Sequence, residues 1–284
     1  MNIRNMTTKD LDFAAEFTLA EDWTSETREV FEGFLLYDRK GCFIAVESDL
    51  PVGICVATVY GDSGFIGELI VKEEARGRSI GITLLKQAMT YLQSRGVRSI
   101  YLDSVEAVAP LYEKFGFRKI CLSLRFSGKL KGEYSQTPSS IRAMRPEDLQ
   151  IISRIDRDAF RADRAFFLKR RFSLHPEFCK VLVQEGVIHG FIMGMKGNGI
   201  ISLGPWIVGE IAKRPLDLLE AVAQEADALP VGIGICKTNT AAVCAVEALG
   251  DLEAKAPSWR MVLGKEDTLG MSTECYAIGS AAKG

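Results

Sequence analysis

The sequence predicts an α+β protein in which one fold is used twice, each copy a mixed, mainly antiparallel sheet flanked by helices. Three observations support this prediction. The chain of 284 residues is longer than one compact domain of ordinary size. Residues 141–149 repeat the pattern of residues 3–11, in which a short strand leads through a polar turn into an amphipathic helix. Between the two copies, residues 127–140 are rich in Gly, Ser, Lys and Pro and lack periodicity.

The first half opens with a strand, two helices and a β-hairpin, and then alternates strands with helices. Hydrophobic periodicity and turn residues define these elements. In chain order the predicted ranges are strand 2–6, helices 10–19 and 25–36, strands 42–47, 52–60 and 67–71, helix 82–94, strand 99–103, helix 106–115 and strand 118–126.

The second half repeats this order. After a strand and an amphipathic helix that begin at residue 141, the predicted ranges are helix 162–171, strands 179–184, 188–196 and 199–208, helix 215–228, strand 231–236 and helix 240–249. We therefore expect a first domain at 1–128, a linker at 129–140 and a second domain at 141–284 that ends in a tail.

Composition is typical of a soluble globular protein. An apolar share of 47% is sufficient for sizeable cores, and a net charge of -2 gives no overall reason to expect a nucleic-acid or membrane partner. No apolar run approaches the roughly 18 residues that a membrane helix needs, and the N-terminal residues lack the apolar segment of a secretion signal. We expect a cytoplasmic protein, and its oligomeric state is left open.

Cysteine and histidine usage argues against metal binding. The seven cysteines are scattered without a C-x-x-C motif, which is typical of buried thiols in a reducing compartment. Only two histidines, His175 and His189, are available, so neither a zinc site nor a histidine-based triad is expected.

A basic, glycine-containing turn after strand 67–71 is the strongest candidate site. Its sequence is Arg76-Gly77-Arg78-Ser79-Ile80-Gly81. Free N–H groups and the helix dipole at the start of the next helix favour an anion such as a diphosphate, and the two arginines add charge. The glycines allow a ligand close to the backbone. The alternative is a turn that uses glycine for its φ angle and arginine for solubility.

The second half lacks these features. Its corresponding segment, residues 208–215, contains an acidic residue and a proline and has no paired glycines. Aligning Gly116 with Gly250 places Val246 opposite Tyr112. Only the first half is therefore expected to bind a cofactor through a diphosphate.

The chain resembles the GNAT superfamily of acyl-CoA-dependent N-acyltransferases. In the first half the resemblance rests on the strand GELIV, the segment ARGRSIGITLL and the segment SVEAVAPLYEKFGF, and it covers most of residues 1–126. The second half resembles the degenerate acetyltransferase-like domain often appended to such enzymes, on the segments AFRADR, Gly204-Pro205-Trp206, the helix at Asn239, Arg260-Met261 and the tail YAIG. The resemblance implies two tandem GNAT-like domains, with acetyl-CoA as co-substrate of the first.

The resemblance also implies roles for individual residues. The turn at residues 76–81 would bind the CoA diphosphate through its backbone amides. The main chain of Ile70 and Val71 would pair with the pantetheine arm in a gap between splayed strands. Tyr112 matches the tyrosine that protonates the departing thiolate. Ser79 departs from the family pattern because it stands where glycine is usual, and Val105 stands where many members have asparagine.

Amide formation from a thioester needs an unprotonated amine, a polarised carbonyl and a protonated leaving thiolate. Glu68, on the strand beside the implied acyl site, is the candidate base, acting directly or through water. Asp103 is the second candidate. The alternative for Glu68 is an outward-facing carboxylate, and the alternative for Tyr112 is an aromatic residue of the core.

The predicted function is transfer of an acetyl group from acetyl-CoA to the amine of a small-molecule acceptor, by direct attack in a ternary complex. We expect the second domain to form part of the acceptor pocket. Trp23 and Tyr276 are candidate substrate contacts, although each is also consistent with packing over a core. Two alternatives are a catalytically weak CoA-binding sensor or interaction module, and a protein or peptide N-acetyltransferase.

Overall fold

A computed structural model describes residues 1–130, 137–209, 214–226, 229–265 and 268–284. Within these ranges, a sheet of 13 strands is flanked by eight α-helices. The helices are α1 (Leu11–Ala20), α2 (Arg28–Asp38), α3 (Ile80–Ser94), α4 (Ala109–Glu113), α5 (Leu149–Phe160), α6 (Ala165–Leu174), α7 (Leu216–Ala223) and α8 (Thr240–Ala248).

The strands are β1 (Asn2–Asn5), β2 (Cys42–Glu47), β3 (Leu50–Tyr60), β4 (Ser63–Val71), β5 (Ser99–Val105), β6 (Arg118–Gly128), β7 (Ile141–Ala143), β8 (Cys179–Gln184), β9 (Val187–Lys196), β10 (Ile201–Val208), β11 (Val231–Cys236), β12 (Glu253–Gly264) and β13 (Cys275–Ala277). Most neighbouring strands are antiparallel and two pairs are parallel, so the predicted fold class is confirmed. Among the described helices, none has the length and apolar character needed to cross a bilayer.

Several helices differ from their predicted ranges, α2 and α6 by three residues at their starts, and for α3 and α4 the reason is local. Helix α3 begins at Ile80, two residues earlier than predicted, because Ser79 takes a left-handed conformation with φ +62° and starts the helix directly. Helix α4 is limited to Ala109–Glu113, since β5 continues to Val105 and Pro110 stands in the first turn of the helix.

The two halves exchange strands at the centre of the sheet. Strand β12, from the second half, lies between β5 and β6 of the first half and pairs antiparallel with both. Strand β6 pairs in turn with β11 of the second half. Each half is thus completed by a strand from the other. The division of the chain at 129–140 stays a prediction, and residues 131–136 of that linker lie outside the described ranges.

Strands β4 and β5 separate at the position where the site was predicted. They pair in parallel only from Ser63 to Phe65, and β4 then continues to Val71 without a partner on β5. On its other edge β4 contains a bulge, in which Glu68 and Leu69 face Cys55 alone. The bulge holds Glu68 at φ +52° and turns its side chain out of the regular alternation.

The second half has the same parallel pairing but fills the gap with its own chain. Strands β10 and β11 pair in parallel from Ile201 to Leu203. Beyond this point β13 pairs with β10, and the Ile278 N–H donates to the Gly234 carbonyl at 2.9 Å. Glu68 lies three residues after Phe65, the last residue of β4 that pairs with β5. Trp206 lies three residues after Leu203, the last residue of β10 that pairs with β11, and so takes the equivalent position in the second half. In the described part of the second half, β13 therefore takes up the edge of β10, and an indole stands where the first half has a carboxylate.

Candidate active site

A cleft of about 550 Å³ opens where β4 and β5 separate. Its walls come from these two strands, the connection between α1 and α2, the bend of β12 near Pro257 and the tail at Ala281 and Ala282. Trp23, Glu68 and Tyr112, which the sequence singled out separately, all line it.

Glu68 is the most unusual polar group in the cleft. Glu68 is only 2% exposed, and no donor among the described residues hydrogen-bonds to its carboxylate, whereas its protonated form can hydrogen-bond to Glu26. Burial and then the charge of Glu26 raise the pKa of Glu68 well above its ordinary value, while Lys283 opposes the shift. A carboxylate with a raised pKa is a stronger base near neutral pH than an exposed one.

Two residues that the sequence reasoning missed surround this carboxyl. Glu26 is buried, and Ser25 Oγ donates to its Oε1 at 2.8 Å, whereas Oε2 has no partner in the described part of the chain. Lys283 is also buried, and its Nζ lies 4.7 Å from the ring centre of Phe34. They come from a loop and from the tail, so no local spacing could have placed them beside Glu68.

Tyr112 lies on α4, buried against Phe117 with ring centres 5.9 Å apart. Burial raises the pKa of the Tyr112 phenol, so the hydroxyl stays protonated across the neutral range. A protonated hydroxyl in this cleft can donate a proton to a leaving group.

Asp103 lines the same cleft but is already fully engaged. Its carboxylate accepts from Arg260 Nε at 2.7 Å and from Arg125 Nη2 at 3.1 Å. Burial would raise the pKa of Asp103, but the charges of Arg260 and Arg125 outweigh it and hold the pKa below its ordinary value. Asp103 is therefore a much weaker candidate base than Glu68.

The turn at the start of α3 presents free backbone donors to open space. Among the described residues, the N–H groups of Ile80, Gly81 and Ile82 have no acceptor, and the first bonded amide of the helix is that of Thr83, which donates to the Ser79 carbonyl at 3.0 Å. A Cβ added at Gly77 would meet no atom within 4 Å. The space above this turn is therefore wide enough for a ligand.

Both arginines of the turn form exposed ion pairs. Arg76 pairs with Glu21, and Arg78 pairs with Glu47 at 2.8 Å. Exposed pairs of this kind contribute about 0–1 kcal/mol, so a diphosphate can compete for these guanidinium groups.

Ile70 and Val71 lie on the part of β4 that pairs with β3 but has no partner on β5. The Ile70 side chain is buried, and Val71 packs against the core under α3. Tyr276 lies apart from the cleft on β13, where its ring packs against Trp206 with centres 5.1 Å apart. We do not include Tyr276 in the proposed site.

The left-handed conformation of Ser79 gives a test of the turn. Ser79→Val should destabilise the protein by about 1–2 kcal/mol, because a β-branched side chain is strained at positive φ. It should also weaken acetyl-CoA binding by about tenfold or more, whereas Ser79→Gly should do neither. Urea unfolding and calorimetric titration with acetyl-CoA measure the two effects. Equal affinities for the Val and Gly variants would remove the turn from the cofactor site.

Two family models match the chain. The acetyltransferase (GNAT) family model matches residues 7–117, and an acetyltransferase (GNAT) domain model matches residues 152–277. A Bacillus subtilis (strain 168) protein named as a candidate ribosomal protein bS18-alanine N-acetyltransferase is 28% identical over 120 residues, which are 41% of this chain and 80% of that protein.

Solved structures share the whole architecture. A candidate acetyltransferase from Pyrococcus horikoshii superposes with a TM-score of 0.83 at 22% identity, over 100% of this chain and 95% of that one. A tandem GNAT protein from the clavulanic acid biosynthesis pathway gives a TM-score of 0.67 at 12% identity, over 94% and 99% of the two chains. At these identities the likeness shows the fold alone.

The two GNAT models together span most of the chain, one in each half. The chain therefore belongs to the GNAT superfamily, as an acyl-CoA-dependent N-acyltransferase with a second, acetyltransferase-like domain.

Proposed function

We propose that the protein transfers an acetyl group from acetyl-CoA to the amine of a small-molecule acceptor, by direct attack in a ternary complex. The observation that supports this most is the position of Glu68. A buried carboxylate that no described donor neutralises lies at the separation of β4 and β5, in the same cleft as the protonated phenol of Tyr112. A base and an acid on one cleft are the two groups that amine acylation needs.

The first half fits acetyl-CoA by its own geometry. The free amides of residues 80–82 and the open space above Gly77 suit a diphosphate, and the unpaired edge of β4 at Ile70 and Val71 suits an extended arm with amide groups. Acetyl-CoA supplies an activated acyl thioester when bound there. In the described part of the second half, β13 takes up the corresponding gap.

Each residue then has a defined task. Glu68 accepts the proton of the acceptor ammonium, directly or through one water, so that the neutral amine can attack. The tail and the loop that contains Trp23 limit the access of water to Glu68. Tyr112 donates its proton as the thiolate leaves. A raised phenol pKa makes this transfer favourable only when it accompanies cleavage of the carbon–sulfur bond.

A small acceptor is favoured by the walls of the cleft. Three separate segments converge on it, which are the connection at Trp23, the bend at Pro257 and the tail at Ala282. The second candidate is a protein or peptide acceptor, which the name of the Bacillus subtilis relative favours.

Release of free thiol from acetyl-CoA, measured against a panel of small amines and short peptides, tests the proposal. We expect thiol release that depends on a small amine, with N-acetylated product found by mass spectrometry. Turnover with peptides alone would favour the second candidate. Binding of acetyl-CoA without thiol release for any acceptor would favour a sensor.

Tyr112→Phe should lower kcat by about 10²–10⁴-fold, since it removes the proton donor and leaves the ring in place. The dissociation constant of acetyl-CoA should change by less than about threefold, because the ring still packs on Phe117. Steady-state kinetics and calorimetric titration measure the two quantities. Tyr91→Phe is the matched control, because its hydroxyl bonds to Asp38 outside the cleft. An unchanged kcat in Tyr112→Phe would exclude Tyr112 as the acid.

A further inference from the structure

We propose that the acceptor carries a carboxylate as well as its amine, and that Arg125 binds this carboxylate. The substrates would then be amino acids and related small molecules that contain both an amine and a carboxylate. This inference rests on the proposed function, because it concerns the acceptor end of the same cleft. Arg125 lies on β6 and lines the cleft that contains Glu68.

The guanidinium of Arg125 is fixed beside the gap between β4 and β5. Its Nη2 donates to Asp103 at 3.1 Å and to Ser258 Oγ at 3.0 Å. Its Nη1 donates to Ser123 Oγ at 2.5 Å and to the Leu124 carbonyl at 3.2 Å. Arg125 is on β6 and Asp103 is on β5, and β12 lies between these two strands. The guanidinium therefore crosses β12 to contact the strand that borders the gap. Four of its five N–H groups are thus used, and no described residue accepts from Nε.

The charges around Asp103 do not balance. One carboxylate faces two guanidinium groups, those of Arg260 and Arg125. Arg260 and Asp103 have side chains 0% and 1% exposed, so Arg125, at 24%, is the member of the cluster that a ligand can reach. An excess positive charge that is largely removed from water is stabilised by an anion. Lys255 also lines the cleft, where its ammonium forms an exposed pair with Glu253 at 2.7 Å, whereas Arg125 is held in place by hydrogen bonds to Asp103, Ser258, Ser123 and the Leu124 carbonyl.

The cleft therefore has two unlike ends. Glu68 and Glu26 lie at the end where the amine must lose its proton, and Arg125 lies over the neighbouring strand. Adjacent strands are about 5 Å apart and these two are splayed, so the two ends are separated by on the order of 10 Å. With about 3 Å for a hydrogen bond at each end, the ligand's amine and anion lie on the order of 4 Å apart. An amino acid has this spacing.

There is also room for the rest of such a molecule. A second cavity of about 500 Å³ adjoins the cleft and shares Arg125 and Ser25 with it. Small residues border it, among them Ser202 and Gly232. The side chain of an amino acid bound at Arg125 has space there.

The experiment compares α-amino acids with the amines left when their carboxylate is removed, in the thiol-release assay. Wild-type kcat/KM should be about 10–100-fold higher for the acid than for its matched amine, because a hydrogen bond between two charged groups typically contributes this much to binding. Arg125→Met should remove that preference by lowering kcat/KM for the acid about 10–100-fold more than kcat/KM for the plain amine, and its urea unfolding curve shows whether the variant is folded. Arg125→Lys should restore part of the preference. Arg28→Met, which breaks an exposed pair with Asp12, is the control.

A second measurement needs no turnover. The N-acetylated acid should raise the melting temperature of wild type, and it should not raise that of Arg125→Met. Equal kcat/KM for acids and plain amines, or a preference that survives Arg125→Met, would overturn the inference and leave the proposed acetyl transfer intact. Binding of the N-acetylated acid through Arg125 without any thiol release would instead overturn the proposed function alone.

Discussion

Glu68→Gln is expected to lower kcat/KM for the acceptor by about 10²–10⁴-fold, the range of a lost general base. Gln keeps the size of the side chain and cannot accept the proton of an ammonium. Acetyl-CoA affinity should stay within about threefold, because the diphosphate turn at residues 76–81 lies beyond the end of β4 and Gln keeps the size of the Glu68 side chain. Glu16→Gln, the same change at an exposed position of α1, is the control.

The pH dependence of the same variant separates this role from a structural one. Burial and the charge of Glu26 raise the pKa of Glu68, and only its ionised form is a base. Wild-type kcat/KM should therefore increase with pH through this raised pKa, well above the ordinary range of a glutamate, and Glu68→Gln should lack that increase. A variant that keeps both wild-type kcat/KM and the increase would exclude Glu68 as the base.

The stability of Glu68→Gln should change in the opposite direction from its activity. The folded-state pKa of Glu68 lies above the unfolded value, so the unfolded state releases this proton at lower pH than the folded state. The free energy of unfolding of the wild type should therefore decrease as the pH increases from the pKa of Glu68 in the unfolded state through its raised pKa in the folded state. Glu68→Gln removes this loss and should be more stable than wild type at alkaline pH, as measured by urea unfolding.

Arg260→Met is expected to destabilise the protein by about 1–3 kcal/mol, because the buried Asp103 carboxylate loses the hydrogen bonds from Arg260 and keeps only the one from Arg125. Arg260 is fully buried on β12, where its Nε donates to Asp103 at 2.7 Å and its guanidinium lies 5.1 Å from the ring centre of Phe65. Met fills much of the volume, but Asp103 then keeps only Arg125 as a charged partner. The effect should appear as a lower midpoint of urea unfolding.

The position of Arg260 also predicts how the protein unfolds. Because β12 belongs to the second half and pairs with two strands of the first half, weakening it should affect both halves. One cooperative transition is expected for the variant. Arg28→Met, whose exposed pair with Asp12 contributes about 0–1 kcal/mol, is the matched control. A loss of less than about 1 kcal/mol in Arg260→Met would show that the buried cluster is not what joins the halves.

Features specified by nearby residues could be predicted from the sequence. The strand, turn and helix around residues 76–81 depend on local periodicity and glycine placement, and α3 differs from its prediction by only two residues at its start. That only the first half binds the cofactor stays a prediction, which rests on the missing glycines at 208–215. Residues 210–213 of that segment lie outside the described ranges.

Features set by long-range pairing could not be predicted. Strand β12 contains Pro257 and several charged residues, which argue against a central strand, and a bulge between Lys255 and Ser258 accommodates the proline. The roles of Glu26 and Lys283 depend on a loop and a tail that meet only in the folded chain. Likewise, the ion pair of Asp103 with Arg260 forms only because β12, from the second half, lies beside β5. Nothing in the sequence around Asp103 predicts this partner.

Initial rates measured while acetyl-CoA and an accepted amine are both varied test direct transfer at this cleft most directly. Cys55, the thiol opposite Glu68, is buried, and burial raises its pKa, so no nucleophile for an acetyl-enzyme is available from it. Reciprocal plots that intersect show that both substrates must be bound before thiol is released, which is the result expected. Parallel plots, with acetylated protein in the absence of amine, would contradict direct attack in a ternary complex.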